Sequence, residues 1–169
     1  MENFFDKLRG DNTQLPPLPS RQNILLAWFG GFITIAVIAG LAQNFQVALI
    51  LGSFGASCVL VFGFPDAPFS QPRNLVLGHF LSSLVGLSFL ALFGATWWAL
   101  AMAVATAIAV MMATRTVHPP AGSNPVIVFM MYPNWDFLLF PTLSGSLLIL
   151  LIALIYLNLS RNSNYPKYW

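Results

Sequence analysis

Long apolar runs, separated by very short polar breaks, dominate the chain from residue 24 onward. A helix that spans a bilayer needs about 20 predominantly apolar residues. By this criterion the predicted membrane segments cover about 24–42, 47–64, 74–93, 97–113, 119–132 and 137–159, the fifth being the shortest. The pattern predicts an all-α integral membrane protein. It has a polar, Pro-rich arm at 1–23, a single transmembrane domain at 24–159 and a polar tail at 160–169.

Composition excludes several classes of protein. The chain is 57% hydrophobic and 7% charged, with a mean hydropathy of +0.75, whereas soluble domains carry about 25% charged residues. The net charge of +2 is too small to indicate a nucleic-acid partner. Cys58 is the only cysteine, which excludes an intrachain disulfide and a cysteine-based metal site. The sequence indicates a lipid bilayer as its surroundings and neither a metal nor a cofactor.

The basic residues suggest an orientation. If all six segments cross and the N-terminus is cytoplasmic, all 7 Lys and Arg residues fall on the cytoplasmic side, in agreement with the positive-inside rule. If segments 47–64 and 119–132 instead dip in and return, Arg73 and Arg115 move outside. The six-crossing arrangement, with both termini cytoplasmic, is therefore favoured.

Six segments divide into two groups of three. An odd number of spans per half inverts the second half relative to the first, as in many transporters. The middle segments, 47–64 and 119–132, are the two that small residues or prolines interrupt. We therefore predict two inverted three-segment repeats with broken or half-length middle helices, a pairing that points to a binding site near the midplane.

The stretch "LGSFGASC" (51–58) allows two interpretations. Its small residues could let helices pack closely. Alternatively, the segment runs extended and becomes helical near Gly52, which leaves backbone N–H groups free to bind an anion. Under this second interpretation Gly52, Ser53, Gly55 and Ser57 contribute to the site, and Phe54 could gate it.

The stretch "RTVHPPAGSNP" (115–125) cannot be a continuous helix interior, because Pro119, Pro120 and Pro125 would break it. We expect an extended approach through His118, Pro119 and Pro120. A short helix then begins around Gly122–Asn124, with Ser123 or Asn124 as N-cap and Pro125 at its first position. The two helix starts would face a common point.

The ionisable residues favour an anion over a cation at that point. Asp66 and Asp136 are the only acids after Asp11, and the six-crossing arrangement places them at opposite membrane faces. Cation sites need carboxylates or converging carbonyls. Four basic groups lie in or near the segments and each allows an alternative. Arg115 could supply positive potential at the site, or its long side chain could carry the guanidinium to the membrane surface. Arg73 could cap a loop. His79 could bond between helices or relay protons, and His118 could bind, relay protons or shape the turn.

Three ordered blocks carry a resemblance to a known family: "LGSFGASCVLVFG" (51–63), "PFSQPRNLVLGHFLSSLVG" (68–86) and "VHPPAGSNPVIVF" (117–129). Together they resemble the HPP family of integral membrane proteins, with Arg73, Asn74 and His79 in matching places. The resemblance implies transport of nitrite. It also implies a bacterial, cyanobacterial-type inner or plasma membrane.

The favoured hypothesis is a transporter or channel for a small inorganic anion, most simply nitrite and alternatively nitrate. The expected binding residues are Gly52, Ser53, Phe54, Gly55, Ser57, Arg115, His118, Gly122, Ser123 and Asn124. Arg73, Asn74, Pro119, Pro120 and Pro125 are expected to be structural. Proton coupling would have to use His79 or His118, and uniport is equally consistent.

Two other functions compete with transport. The chain could be an assembly subunit that transports nothing. It is less well explained as an intramembrane enzyme, because a Ser123–His118 pair across a proline turn has poor geometry for nucleophilic catalysis and lacks a third orienting group. Under any of these functions we expect a homo-oligomer, most simply a dimer.

Overall fold

The computed structural model describes residues 3–10 and 13–169, and these residues form helices and turns without strands. Positions 1–2 and 11–12 of the predicted polar arm lie outside the described residues. The α-helices in the described part are α1 (Phe4–Lys7), α2 (Arg21–Phe45), α3 (Gly52–Gly63), α4 (Pro72–Phe93), α5 (Trp97–Ala113), α6 (Asn124–Met131) and α7 (Ser144–Ser160). The all-α prediction is confirmed.

Three helical stretches in the described chain are long and apolar enough to cross a bilayer: Arg21–Phe45, Pro72–Phe93 and Trp135–Ser160. α3 and α5 are apolar but shorter. α5 has the bounds predicted from the sequence, Trp97–Ala113, because Thr96 caps its start by accepting from the Ala99 N–H group. The protein is an integral membrane protein.

α3 begins where the glycine-rich stretch predicted. α2 ends at Phe45, its C-cap Gln46 adopts the left-handed conformation, and the chain is then non-helical up to Leu51. Leu51 is extended (φ −121°, ψ 145°) and the helix starts at Gly52. The second predicted segment is therefore a non-helical stretch that ends in the extended Leu51, followed by a 12-residue helix.

The fifth segment begins its helical part earlier than predicted. A 3₁₀ turn covers Pro119–Ser123 and continues directly into α6. The Ser123 hydroxyl donates to the Pro120 carbonyl and does not cap α6. The predicted start of an α-helix at Gly122–Asn124 is confirmed, since α6 begins at Asn124 with Pro125 in its first turn. The 3₁₀ turn before it replaces the extended chain predicted at Pro119 and Pro120, because proline, with its φ near −65° and no N–H group, suits the first positions of a helical turn. The extended approach to this turn ends at His118, which has φ −135° and ψ 98°.

The last segment starts irregularly. A 3₁₀ turn at Trp135–Leu138 and a π-helical turn at Leu139–Leu143 precede α7. Phe140 is non-helical, with φ −130° and ψ 118°. This irregular start gives Thr142 a fully buried position in the bundle.

α4 holds the chain between α5 and α6 along one face. Four residues spaced by four, Asn74, Gly78, Ser82 and Gly86, form what we call the α4 ladder. Asn74 donates to the Val117 carbonyl at 2.8 Å, and Ser82 donates to the Ala121 carbonyl at 2.6 Å. The two glycines allow close approach, since an added Cβ would lie 2.7 Å from the His118 Cβ at Gly78 and 2.9 Å from the Pro125 Cα at Gly86.

Contacts gather most of the charged groups of the described chain at one end of the bundle. The Tyr156 hydroxyl donates to the Leu26 carbonyl, which joins the end of α7 to the start of α2. The C-terminal tail folds back over the turn between α3 and α4, where Lys167 pairs with Asp66 at 3.1 Å. Arg73, at the start of α4, donates to the Thr114 carbonyl at the end of α5.

Candidate functional site: a buried hydrogen-bonded cluster beside an open cavity

Four side chains from four different parts of the chain meet in the interior of the bundle. Ser57 comes from α3, His79 from α4, His118 from the approach to the 3₁₀ turn and Asn124 from the start of α6. All four are 0% exposed. We call them the polar cluster. In an apolar bundle such a set is costly unless every group finds a partner, which makes its hydrogen bonding informative.

Ser57 joins the two histidines. Its Oγ lies 2.8 Å from Nε2 of His79 and 2.9 Å from Nε2 of His118. It also lies 3.1 Å from the carbonyl of Ser53, one turn earlier in α3. A serine hydroxyl has one proton to donate and two lone pairs to accept with. Ser57 can therefore donate a hydrogen bond to one imidazole and accept a hydrogen bond from the other.

The outer nitrogens of the two imidazoles have different partners. Nδ1 of His118 lies 2.7 Å from the carbonyl of Phe69. Nδ1 of His79 lies 3.1 Å from the side-chain nitrogen of Asn124. A carbonyl only accepts and an amide nitrogen only donates, so the rings meet opposite kinds of group.

The cluster extends further through residues that the sequence interpretation did not select. The Asn124 amide donates to the Ser83 hydroxyl at 2.9 Å, and Ser83 lies 3.1 Å from the hydroxyl of Thr142. Ser83 stands four residues after His79 in "HFLSS", a spacing that places both on one helical face and could have indicated it. Nothing in the sequence pattern marks Thr142, because its position depends on the irregular turn before α7.

An open cavity of about 700 Å³ borders the cluster. It lies between α3 and the run from Pro119 into α6, and its lining residues are Gly52, Ser53, Ala56, Val59, Leu60, Pro119, Pro120, Ser123 and Ile127. The Ser53 side chain is 3% exposed, and its hydroxyl has no partner among the described residues. α3 also starts at this cavity, and no side chain of the described chain caps it.

The structure divides the predicted binding residues into groups. Gly52, Ser53 and Ser123 line the cavity, and Ser57, His118 and Asn124 form the polar cluster. His79, expected only as a proton relay, belongs to the same cluster.

The remaining predicted residues lie elsewhere. Phe54 packs its ring against His79 and Gly145. Gly55 faces a second cavity shared with α2, and Gly122 is half-buried. Arg115 is exposed and lies two residues after α5 in the left-handed conformation (φ 56°), with its N–H group donating to the Met112 carbonyl.

Both helix starts border the same cavity, through Gly52 and Ser53 on one side and Pro119, Pro120 and Ser123 on the other. His118 immediately precedes the turn at Pro119, and its ring is 2.9 Å from Ser57, five residues into α3. The second helical run therefore begins beside the body of α3. Its first two residues are prolines without N–H groups, and the Ala121 N–H group bonds to the His118 carbonyl. Free backbone N–H groups are therefore found at the start of α3 and not at the start of the helical run at Pro119.

Comparisons with known proteins agree with the membrane architecture. The family description "HPP, transmembrane region" matches residues 16–166. Two proteins of Dictyostelium discoideum, each named only as a transmembrane protein, are 39% and 38% identical to this chain over 98% of its length. The chain spans 63% and 57% of these longer relatives. No solved structure matches it. The chain belongs to the HPP family of transmembrane proteins.

Proposed function

We propose that this protein moves a small inorganic anion across the membrane, with nitrite as the first candidate and nitrate as the second. One observation carries the proposal. The uncapped start of α3 and the buried, unpartnered hydroxyl of Ser53 meet at the cavity beside the polar cluster. Unpaired donors of this kind inside an apolar bundle need a ligand that accepts hydrogen bonds.

The donors at this place suit an anion. The first N–H groups of α3, at Gly52 and Ser53, add to the free hydroxyl of Ser53. The Ser123 hydroxyl lies at the same cavity but already donates its proton to the Pro120 carbonyl. The start of a helix also carries about half a positive charge. The lining residues of the cavity are glycine, serine, proline and apolar side chains, so no carboxylate offers the ligands that a cation prefers.

The short helices fit a transport site within six crossings arranged as two inverted repeats. α3 has 12 residues and the run from Pro119 to Met131 is of similar length, so neither spans a bilayer as a helix. Non-helical backbone at membrane depth is tolerated where it is buried or lines a cavity. In this arrangement the charged end of the bundle is cytoplasmic, and both chain termini lie there.

The choice of nitrite comes from the resemblance of the three sequence blocks to the HPP family. The test is flux of nitrite, nitrate, chloride and sodium into liposomes that contain the purified chain. We expect saturable nitrite uptake that exceeds sodium uptake. A chain that moves no anion above empty liposomes would favour the alternative of an assembly subunit.

The site itself is tested with Ser53→Ala. The hydroxyl has no partner in the protein, so its removal should leave the fold intact. The loss of one hydrogen bond to a charged ligand, worth about 1.5–3 kcal/mol, should raise the KM for the anion by about tenfold or more. Ser88→Ala is the matched control, since that hydroxyl bonds only within α4. Equal KM values in the two variants would exclude Ser53 from the site.

An intramembrane enzyme is the weaker alternative. Ser57 and His118 do form a serine–imidazole pair at 2.9 Å, a different pair from the Ser123–His118 pair considered above. However, Ser57 is fully buried in the middle of α3, where neighbouring N–H groups are used by the helix. Labelling of Ser57 by a serine-reactive probe would support catalysis.

A further inference from the structure

The polar cluster forms part of a longer chain of hydrogen bonds through the interior. In order, its members are the Phe69 carbonyl, His118, Ser57, His79, Asn124, Ser83 and Thr142, with neighbouring atoms 2.7–3.1 Å apart. The six side chains are all 0% exposed. Chains of polar and ionisable side chains inside membrane segments serve as proton relays in pumps and transporters. Whether a proton can pass along such a chain depends on the direction of each hydrogen bond.

The direction is fixed at the Phe69 end. A backbone carbonyl can only accept, so Nδ1 of His118 carries the proton. In the neutral ring Nε2 then accepts, so the one proton of the Ser57 hydroxyl goes to this nitrogen at 2.9 Å and not to the more distant Ser53 carbonyl at 3.1 Å. Ser57 in turn accepts from the second imidazole, which requires a proton on Nε2 of His79.

The direction is fixed independently at Asn124. Its side-chain nitrogen lies 3.2 Å from the His79 carbonyl, and only an N–H group can face a carbonyl, which sets the orientation of the amide. An amide nitrogen has two protons, so one N–H group points to the Ser83 hydroxyl and the other is shared between the carbonyl and Nδ1 of His79. Because an amide nitrogen cannot accept, Nδ1 of His79 carries no proton toward it. The assignment from this end gives His79 the same Nε2–H form, so the two ends agree.

Asn124 is therefore a donor in both directions. Every bond on the His79 side points away from it toward Phe69, and the bond on the Ser83 side points away from it toward Thr142. An amide nitrogen has no lone pair to accept a proton, and the amide oxygen has no partner among the described residues. A proton arriving from either half finds a donor where it needs an acceptor.

We infer that Asn124 is the proton barrier of this protein: it orders the buried chain of hydrogen bonds while preventing protons from passing through it. The inference goes beyond the proposed anion transport and does not depend on which anion is moved. It assigns His79 and His118 to one side of the barrier, where they can exchange a proton with each other through Ser57 but not with Thr142.

The bond directions can be measured directly. The chain contains 2 histidines, so the ¹⁵N spectrum of the imidazoles in the wild-type protein is simple, and a His118→Gln variant assigns it. We expect His79 to be protonated on Nε2 and His118 on Nδ1, two different tautomers in one protein. A proton on Nδ1 of His79 would overturn the inference, because Asn124 would then accept from that side.

The barrier is tested by proton permeability. Liposomes that contain the wild-type chain should retain a pH gradient as well as empty ones. Asn124→Asp replaces the amide by a group of the same shape that accepts and releases protons, and proton leakage should rise about tenfold or more. Asn74→Asp is the matched control, because Asn74 is also a buried asparagine that donates to a backbone carbonyl but lies outside the chain.

A second substitution separates conduction from loose packing. In the Asn124→Asp background, Ser83→Ala removes the link to Thr142, and leakage should return to the wild-type level. The inference fails if the wild-type protein already leaks protons, if Asn124→Asp leaks no more than Asn74→Asp, or if leakage survives Ser83→Ala. If the aspartate variant does not fold, the tautomers of the wild-type histidines still decide the question.

Discussion

The close approach of α4 to the chain before α6 can be tested with Gly78→Ala. A methyl group at this position would lie 2.7 Å from the His118 Cβ and 2.9 Å from the Thr116 carbonyl oxygen. Carbon atoms pack at about 3.5–4.0 Å, so the two segments must separate by roughly 1 Å. A displacement of that size at His118 would take its 2.9 Å contact with Ser57 outside the range of a hydrogen bond.

Overpacking of this kind costs about 1–3 kcal/mol. For a chain of this size, about 2–4 °C of melting temperature corresponds to each kcal/mol, so we expect Gly78→Ala to lower Tm in detergent by about 2–12 °C. Gly55→Ala is the matched control, because a methyl group there meets no atom within 4 Å and gains the same helix propensity of about 1 kcal/mol. Equal melting temperatures of the two variants would show that the ladder is not closely packed.

Two further substitutions test the buried polar contacts. Ser57→Ala leaves two imidazole nitrogens without a partner, each costing about 1–3 kcal/mol, and should lower Tm by more than Ser88→Ala does; similar Tm values would contradict the bridging role. Burial raises the pKa of the Tyr165 phenol, which stays a donor to the Ser70 carbonyl at 2.7 Å. Tyr165→Phe should therefore speed hydrogen exchange and proteolysis of the C-terminal tail more than Tyr168→Phe, whose hydroxyl is at an exposed contact, and unchanged rates would show that the tail is held by other contacts.

The sequence predicted where the helical segments lie more accurately than the residues at which helical structure begins. Apolar length placed the segments within a few residues, and the glycine at 52 marked the start of α3 correctly. The prolines at 119 and 120 indicated a break in the same way, but whether such a pair ends extended chain or opens a helical turn depends on what surrounds it. Here the bonds from α4 to Val117 and Ala121 decide in favour of the turn.

The sequence identified the residues of the site, but it did not predict the contacts between them. Ser57, His79, His118 and Asn124 were all selected as candidates, because polar groups inside apolar segments are few. Their mutual contacts cross 22 to 61 positions of sequence, and no local pattern encodes such distances. For the same reason Asn124 was expected to cap α6 at a binding point, whereas the structure turns its amide inward to His79.

The α4 ladder also has a mechanical consequence. Its bonds and close contacts from Asn74 to Gly86 join α4, the segment that follows α5 and the start of α6 into one packed unit. α3 meets that unit at the cluster mainly through the hydroxyl of Ser57. Under the proposed transport function, a movement of α3 away from this unit that widened the cavity would have to break the hydrogen bonds of the Ser57 hydroxyl to the two histidines.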